Sequence, residues 1–216
     1  MNARNITIKG IGNVVVKPDL TVISMTLTVK TPEYAQAMET AAKDIEVLRQ
    51  ALYGIDYKRE ALKTTDFNIS TEYEQYKDKG GNYQRRFAGY KCTHALKLEF
   101  DFNLKRLGET LAAISACGVN PELKIAFSVK DKAAVNAALL ESAITNAKEK
   151  AAILAKAAEV TLGQIQRIDY SWSELRLFSE TQLSDTPYYA AESVAVDIEP
   201  EDINAADSVT VVWEIE

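Results

Sequence analysis

Cys92 and His94, the only histidine, stand two residues apart in YKCTHALKLEF. Residues two apart on a strand point to the same side. A thiol and an imidazole placed there could serve as a nucleophile with its base, or as two ligands of a metal. Tyr90 falls on the same side, so Tyr90, Cys92 and His94 define a candidate ligand face. That side continues into Leu96, Leu98 and Phe100, the pattern of a core, so a buried inert thiol beside a hydrogen-bonded histidine competes with the chemical reading. No orienting Asp or Asn is identifiable, and the nearby sequence supplies too few ligands for a metal site.

Other chemistry-bearing groups are weaker. Glu180, Asp185, Glu192, Asp197, Glu199, Glu201 and Asp202 could hold a hard cation, but they lack the spacing of a calcium loop and read as a solvated acidic segment. Gly10-Ile11-Gly12 has no third glycine in register and does not open a helix, which removes it as a nucleotide fingerprint. No serine sits in a nucleophile elbow. Trp172, Tyr188 and Tyr189 suit either an exposed contact or plain packing. The expectation is a protein that is not an enzyme and needs no cofactor.

The bulk numbers agree with a globular chain. It has 216 residues, 47% hydrophobic and 26% charged, with a net charge of -6. That length forms one large domain or two intertwined α+β halves, about 1–102 and 103–216. An acidic chain with scattered cations is a poor partner for nucleic acid; its densest basic stretch, Gln84-Arg85-Arg86, is expected in a hairpin loop. Two cysteines make neither a disulfide framework nor a four-ligand zinc site. MNARNITIKGIGN has no apolar run of signal-peptide length, and no segment approaches the roughly 20 apolar residues of a membrane span. The expected location is the cytoplasm, or the periplasm or exterior if a leader was removed.

Elements follow from periodicity. ITIKGIGNVVV and LTVISMTLTV read as two strands around a Pro18-Asp19 turn, with Thr21, Ile23, Met25, Leu27 and Val29 on one face. Thr31-Pro32-Glu33 opens a helix to about Tyr53, whose stripe is Ala37, Ala41, Ile45, Leu48 and Leu52. Residues 61–74 alternate as a strand with Thr65, Phe67, Ile69, Thr71 and Tyr73 on one face. A KDKGGNY loop leads into a long strand from about Tyr83 to Phe102. A helix over 104–116, the strand LKIAFSV, a long helix over 131–159, the strand QIQRIDYSW and the strand SVTVVWEI complete the order ββαββαβαββ. Residues 175–205 form an irregular acidic excursion, with a short strand near Val194–Val196. Short connections imply antiparallel sheets with helices packed on one face, an α+β fold.

The long helix is rich in alanine. Ala133, Ala137, Leu140, Ile144, Ala147, Ala151, Leu154 and Ala158 recur at spacings of three and four. Its charges exclude a membrane span, and alanine is too small for an interfacial helix. Small residues allow close approach, either of the chain's own sheet or of a partner helix. The candidate interface is Ala143, Ala147, Ala151 and Ala155.

The order of motifs resembles the SIMPL (DUF541) family over nearly the whole chain. The opening ITIKGIGNVVVKPDL, the strand LKTTDFNISTEYEQY, the Gly89-Tyr90 strand, the segment AFSVKDK, the helix NAKEKAAILAKAAEVTLGQI and the closing SVTVVWEI match in sequence. Family members often have Gly near the end of the long helix, where this chain has Glu159, and Pro before the Tyr of the third strand, where it has Thr71 or Glu72. Many carry a signal peptide. The resemblance implies no established catalytic residues. It implies an oligomeric assembly or interaction protein, a homo-oligomer with a possible further protein partner, linked to stress defence. The alternative is a small-molecule or metal-binding protein that uses the Tyr90, Cys92 and His94 face or the acidic loop.

Overall fold

The structure is a computed structural model and describes residues 4–78, 80–171, 175–181 and 198–216. Its strands are β1 (Asn5–Val16), β2 (Leu20–Thr31), β3 (Leu62–Lys77), β4 (Tyr83–Asp101), β5 (Glu122–Ser128), β6 (Leu162–Asp169) and β7 (Ile203–Ile215). Its helices are α1 (Tyr34–Tyr53), α2 (Leu104–Ala116) and α3 (Lys132–Ala157). The order is the expected ββαββαβαββ, in an α+β fold. One sheet runs β1-β7-β6 and the other β3-β4-β2-β5. The closing strand starts at Ile203, earlier than expected, because β1 pairs with it along its whole length, from Asn5 opposite Glu214 to Val16 opposite Ile203.

The chain divides into two compact units. One holds residues 1–19, 128–181 and 200–216; the other holds 20–127 and 182–199. The pairing of β1 with β7 is the reason, since it draws both ends of the chain into one sheet. The expected strand near Val194–Val196 lies outside the described residues, as does most of the acidic excursion.

In the second unit, α1 buries the stripe read from the sequence, Ala37, Ala41, Ile45, Leu48 and Leu52. Ile45, Leu48 and Leu52 of that stripe share a core with Ile23, Met25, Leu27, Leu96 and Leu98 of β2 and β4, and Ala37 and Ala41 share a smaller one with Val29 and Cys92. Thr31 does not cap α1; its hydroxyl donates to the Glu33 carbonyl at 2.7 Å and braces the turn before the helix. Asn103 does cap α2, accepting from the Arg106 N–H at 2.9 Å.

In the first unit, α3 lies directly on β1 and β7. Its buried row is Val135, Leu139, Ala143, Ala147, Ala151 and Ala155, the i, i+4 ridge of the helix. This corrects the stripe expected from spacing: Ala133, Ala137, Leu154 and Ala158 are exposed, and Leu140 and Ile144 are half-buried. Alanine occurs on every side of this helix, so periodicity alone does not select the buried one. The selection comes from β1. A Cβ on Gly10 would lie 2.0 Å from the Ala143 carbonyl oxygen and 2.7 Å from the Ala147 Cβ; one on Gly12 would lie 2.1 Å from the Leu139 carbonyl oxygen. Glycine on the strand and alanine on the helix bring the two backbones into contact.

The contact also closes a sheet edge. β1 is the outer strand of its sheet, and α3 side chains four residues apart reach its backbone. Asn146 Oδ1 accepts from the Ile11 N–H at 3.0 Å, Ser142 Oγ from the Asn13 N–H at 3.3 Å, and Lys150 Nζ donates to the Lys9 carbonyl at 3.2 Å. These groups would otherwise be open to a foreign strand.

The end of α3 explains the departure at Glu159. The Val160 N–H bonds the Ala155 carbonyl and the Glu159 N–H bonds the Lys156 carbonyl. This is a Schellman cap, whose C′ residue is left-handed and is usually glycine. Glu159 takes that conformation with φ 55°.

Two substitutions test this account by urea unfolding. Gly10→Ala should destabilise the chain by about 3 kcal/mol, because neither the strand nor the helix backbone can yield to the new methyl group. Glu159→Gly should stabilise it by about 1 kcal/mol by relieving a left-handed glutamate.

Candidate functional site

The Tyr90, Cys92 and His94 face lies on β4, and the structure separates its members. Cys92 is fully buried in a small core with Val29, Ala37 and Ala41. Its neighbours across the sheet are Val29 on β2 and Ile69 on β3. Burial pushes its thiol pKa up, away from the thiolate that a nucleophile or ligand requires.

His94 is also buried, 8% exposed. Its Nε2 shares a 2.9 Å hydrogen bond with the Thr64 hydroxyl on β3, and the Phe67 ring meets it edge to face at 5.0 Å. Nδ1 is buried without a partner among the described residues. Burial holds the imidazole pKa below its ordinary value, and the Arg49 guanidinium of α1 lowers it further. The ring is therefore neutral at pH 7. No hydrogen bond links it to the Cys92 thiol among the described residues, so the nucleophile-and-base arrangement is not assembled.

Tyr90 alone of the three reaches the surface, and it opens onto a feature that alternation did not reveal. β2 pairs with β4 only as far as Thr31 opposite Tyr90, whereas β3 and β4 continue together to Lys77 opposite Tyr83. The extra length is a two-stranded ribbon that projects past the sheet. Gln84-Arg85-Arg86 therefore lies in a strand, not a loop. The ribbon begins at a register shift after Glu72, opposite Gly89. Gly89 has φ 136°, and a Cβ there would lie 2.4 Å from the Thr31 carbonyl oxygen. At the tip, Asp78 Oδ1 accepts from the Gly80 and Asn82 N–H groups, both at 2.9 Å. Those bonds hold its carboxyl below the usual carboxylate range.

The ribbon carries a line of rings. Tyr73 meets Phe87 at 6.0 Å, Phe87 meets Tyr90 at 5.3 Å, and Tyr90 meets Tyr34 of α1 at 5.6 Å, all edge to face. Tyr34, Tyr73 and Phe87 are each about half exposed, and Tyr83 is 69% exposed. Cations stack on the line: Lys77 lies 5.0 Å from the Tyr83 ring centre and Arg85 lies 5.1 Å from that of Tyr73. A cavity of about 360 Å³ opens at the root of the ribbon beside Lys30, Pro32, Glu72, Tyr73 and Tyr90. Of its lining charges, Lys30 is bonded to Glu72, and Glu74 is bonded to Arg86 outside the cavity. Alternation assigns Tyr73 to one strand face; the signal for the ribbon is the density of aromatic and Arg residues around the KDKGGN turn, Tyr73 and Tyr76 before it and Tyr83, Arg85, Arg86 and Phe87 after it.

The proposed interface alanines are covered. Ala143, Ala147 and Ala151 are fully buried and Ala155 is 4% exposed, all four beneath their own sheet, so they present no surface to a partner helix. Among the described residues no three His, Cys, Asp or Glu side chains gather as a metal site, and no helix is long and apolar enough to cross a membrane. Trp172, Tyr188, Tyr189, Asp185, Glu192 and Asp197 lie outside the described residues.

The buried neutral imidazole has a pH consequence. The unfolded chain binds a proton at His94 near its ordinary pKa of 6.5, and the folded chain resists it to lower pH. Its contribution to stability is complete above about pH 6.5 and declines as the pH falls below that value. Chemical denaturation between pH 8 and pH 5 should show His94→Gln with a shallower loss of stability than the parent chain over that interval.

No curated protein matches the chain. The family described as SIMPL, protein of unknown function (DUF541), matches residues 6–213. That span takes in the glycine strand, the aromatic ribbon, the alanine helix and nearly all of the closing strand, and the chain belongs to the SIMPL family.

Proposed function

We propose that the chain is a non-enzymatic assembly or interaction protein whose contact element is the aromatic ribbon. The line of rings from Tyr34 through Tyr90 and Phe87 to Tyr73 carries this reading. Large rings left half in water are costly to maintain without a use, and contiguous exposed apolar surface marks sites of association. Tyr and Arg are also the residues that most often dominate contact energetics. The ribbon is held by backbone pairing and contributes little to either core, so its composition is free to serve a partner.

Homo-oligomerisation is the simplest form of this function. Protection under stress belongs to the proposal through the family's association with it, and the chain would act there by holding partners. A cytoplasmic setting accords with two free thiols, one of them buried. A second reading, small-molecule binding, draws support from the cavity beside Tyr90, whose volume falls at the lower end of ligand pockets.

Absolute mass by light scattering across a concentration series separates the two. Assembly predicts a discrete multiple of the 23.9 kDa chain. A monomer at every concentration would overturn assembly and leave the cavity as the site to probe, by thermal shift against metabolites.

A further inference from the structure

We propose that one face of the β3–β4 ribbon docks onto the acidic approach to β7 in a second copy of this chain; the inference rests on the assembly reading above. Strand register defines the face. Tyr73 stands opposite Phe87, Gln75 opposite Arg85 and Lys77 opposite Tyr83, and directly opposed residues share a side. No carboxylate lies among these six. Of the ribbon's acidic residues, Glu72 and Glu74 are bonded to Lys30 and Arg86, and Asp78 at the tip accepts from the Gly80 and Asn82 N–H groups. Lys77 and Arg85 stack on rings and form no ion pair among the described residues. The result is an aromatic surface with two unneutralised cations on a chain whose net charge is -6.

Charge selects the occupant. Two ribbons placed face to face would oppose like charges, which disfavours a symmetric ribbon stack. Residues 198–207 have the complementary character: they include Glu199, Glu201, Asp202 and Asp207 and no Lys or Arg. Glu201 and Asp202 are exposed. The Glu201 backbone is held by Ser179 and Thr181, and neither bond uses its carboxylate. A guanidinium and an ammonium on aromatic supports, meeting a short acidic strand approach, form charge-assisted hydrogen bonds at the rim of a ring-filled contact.

The test is a charge exchange read by light scattering. Lys77→Glu with Arg85→Glu should weaken self-association by about tenfold or more. Glu201→Lys with Asp202→Lys should do the same, and an equimolar mixture of the two variants should restore the parent mass. All four side chains point away from the buried cores, and unfolding curves matching the parent would verify folding. If a reversal variant unfolds, the parent chain still answers: self-association should fall as salt rises from about 0.05 M to about 0.5 M. A folded ribbon variant that keeps the parent mass overturns the docking surface and leaves the assembly reading standing. Loss of assembly without rescue in the mixture overturns the acidic occupant, and anionic vesicles or an acidic protein become the alternatives. A monomeric parent chain overturns both the docking surface and the assembly reading.

Discussion

Backbone-to-backbone contact between β1 and α3 is the constraint on which the first unit depends. Gly10 and Gly12 remove side chains from the strand, and Ala143 and Ala147 reduce them to a methyl group on the helix. At that separation, short polar side chains on α3 reach the strand edge, so Asn146 can accept from Ile11 and Ser142 from Asn13. A leucine in place of either glycine or alanine would lift the helix and break both the packing and the edge bonds. One small-residue pattern therefore accounts for the buried row, the covered edge and the G-x-G that superficially imitates a nucleotide loop.

Much of the fold can be read directly from the residues. The α1 stripe is visible because Ile45, Leu48 and Leu52 contrast with charged neighbours, and β2 because its apolar and polar residues alternate. The face of α3 is not visible, because alanine tolerates both burial and exposure and only the glycines of a strand over a hundred residues away choose between its sides. The two units are hidden for a related reason: nothing local to β1 states that its partner is β7. The ribbon escaped because alternation on β3 suggests one buried face, whereas β4 outlasts β2 and leaves both faces of the pair in water.

The candidate site illustrates how spacing can mislead. Cys92 and His94 have the right types at the right interval, yet the strand that aligns them also sends them under α1. There the thiol is held protonated and the imidazole neutral. Two residues before Cys92, the same strand emerges at Tyr90, and its character changes from core to half-exposed aromatic surface. The Gly89 backbone, pressed against the Thr31 carbonyl, marks where that change occurs.

The pairing of β1 with β7 also sets an order of events during synthesis. About 190 residues separate Val16 from Ile203. At roughly 5–20 residues per second, β1 leaves the ribosome about 10–40 s before its partner strand exists. The second unit has its sheet strands within residues 20–128 and can close first, while β1 waits with one apolar face and both edges open. Glycine at positions 10 and 12 lowers the strand propensity of this waiting segment and so its tendency to pair with the wrong chain. The residues that let α3 approach in the finished protein thus also protect the nascent one.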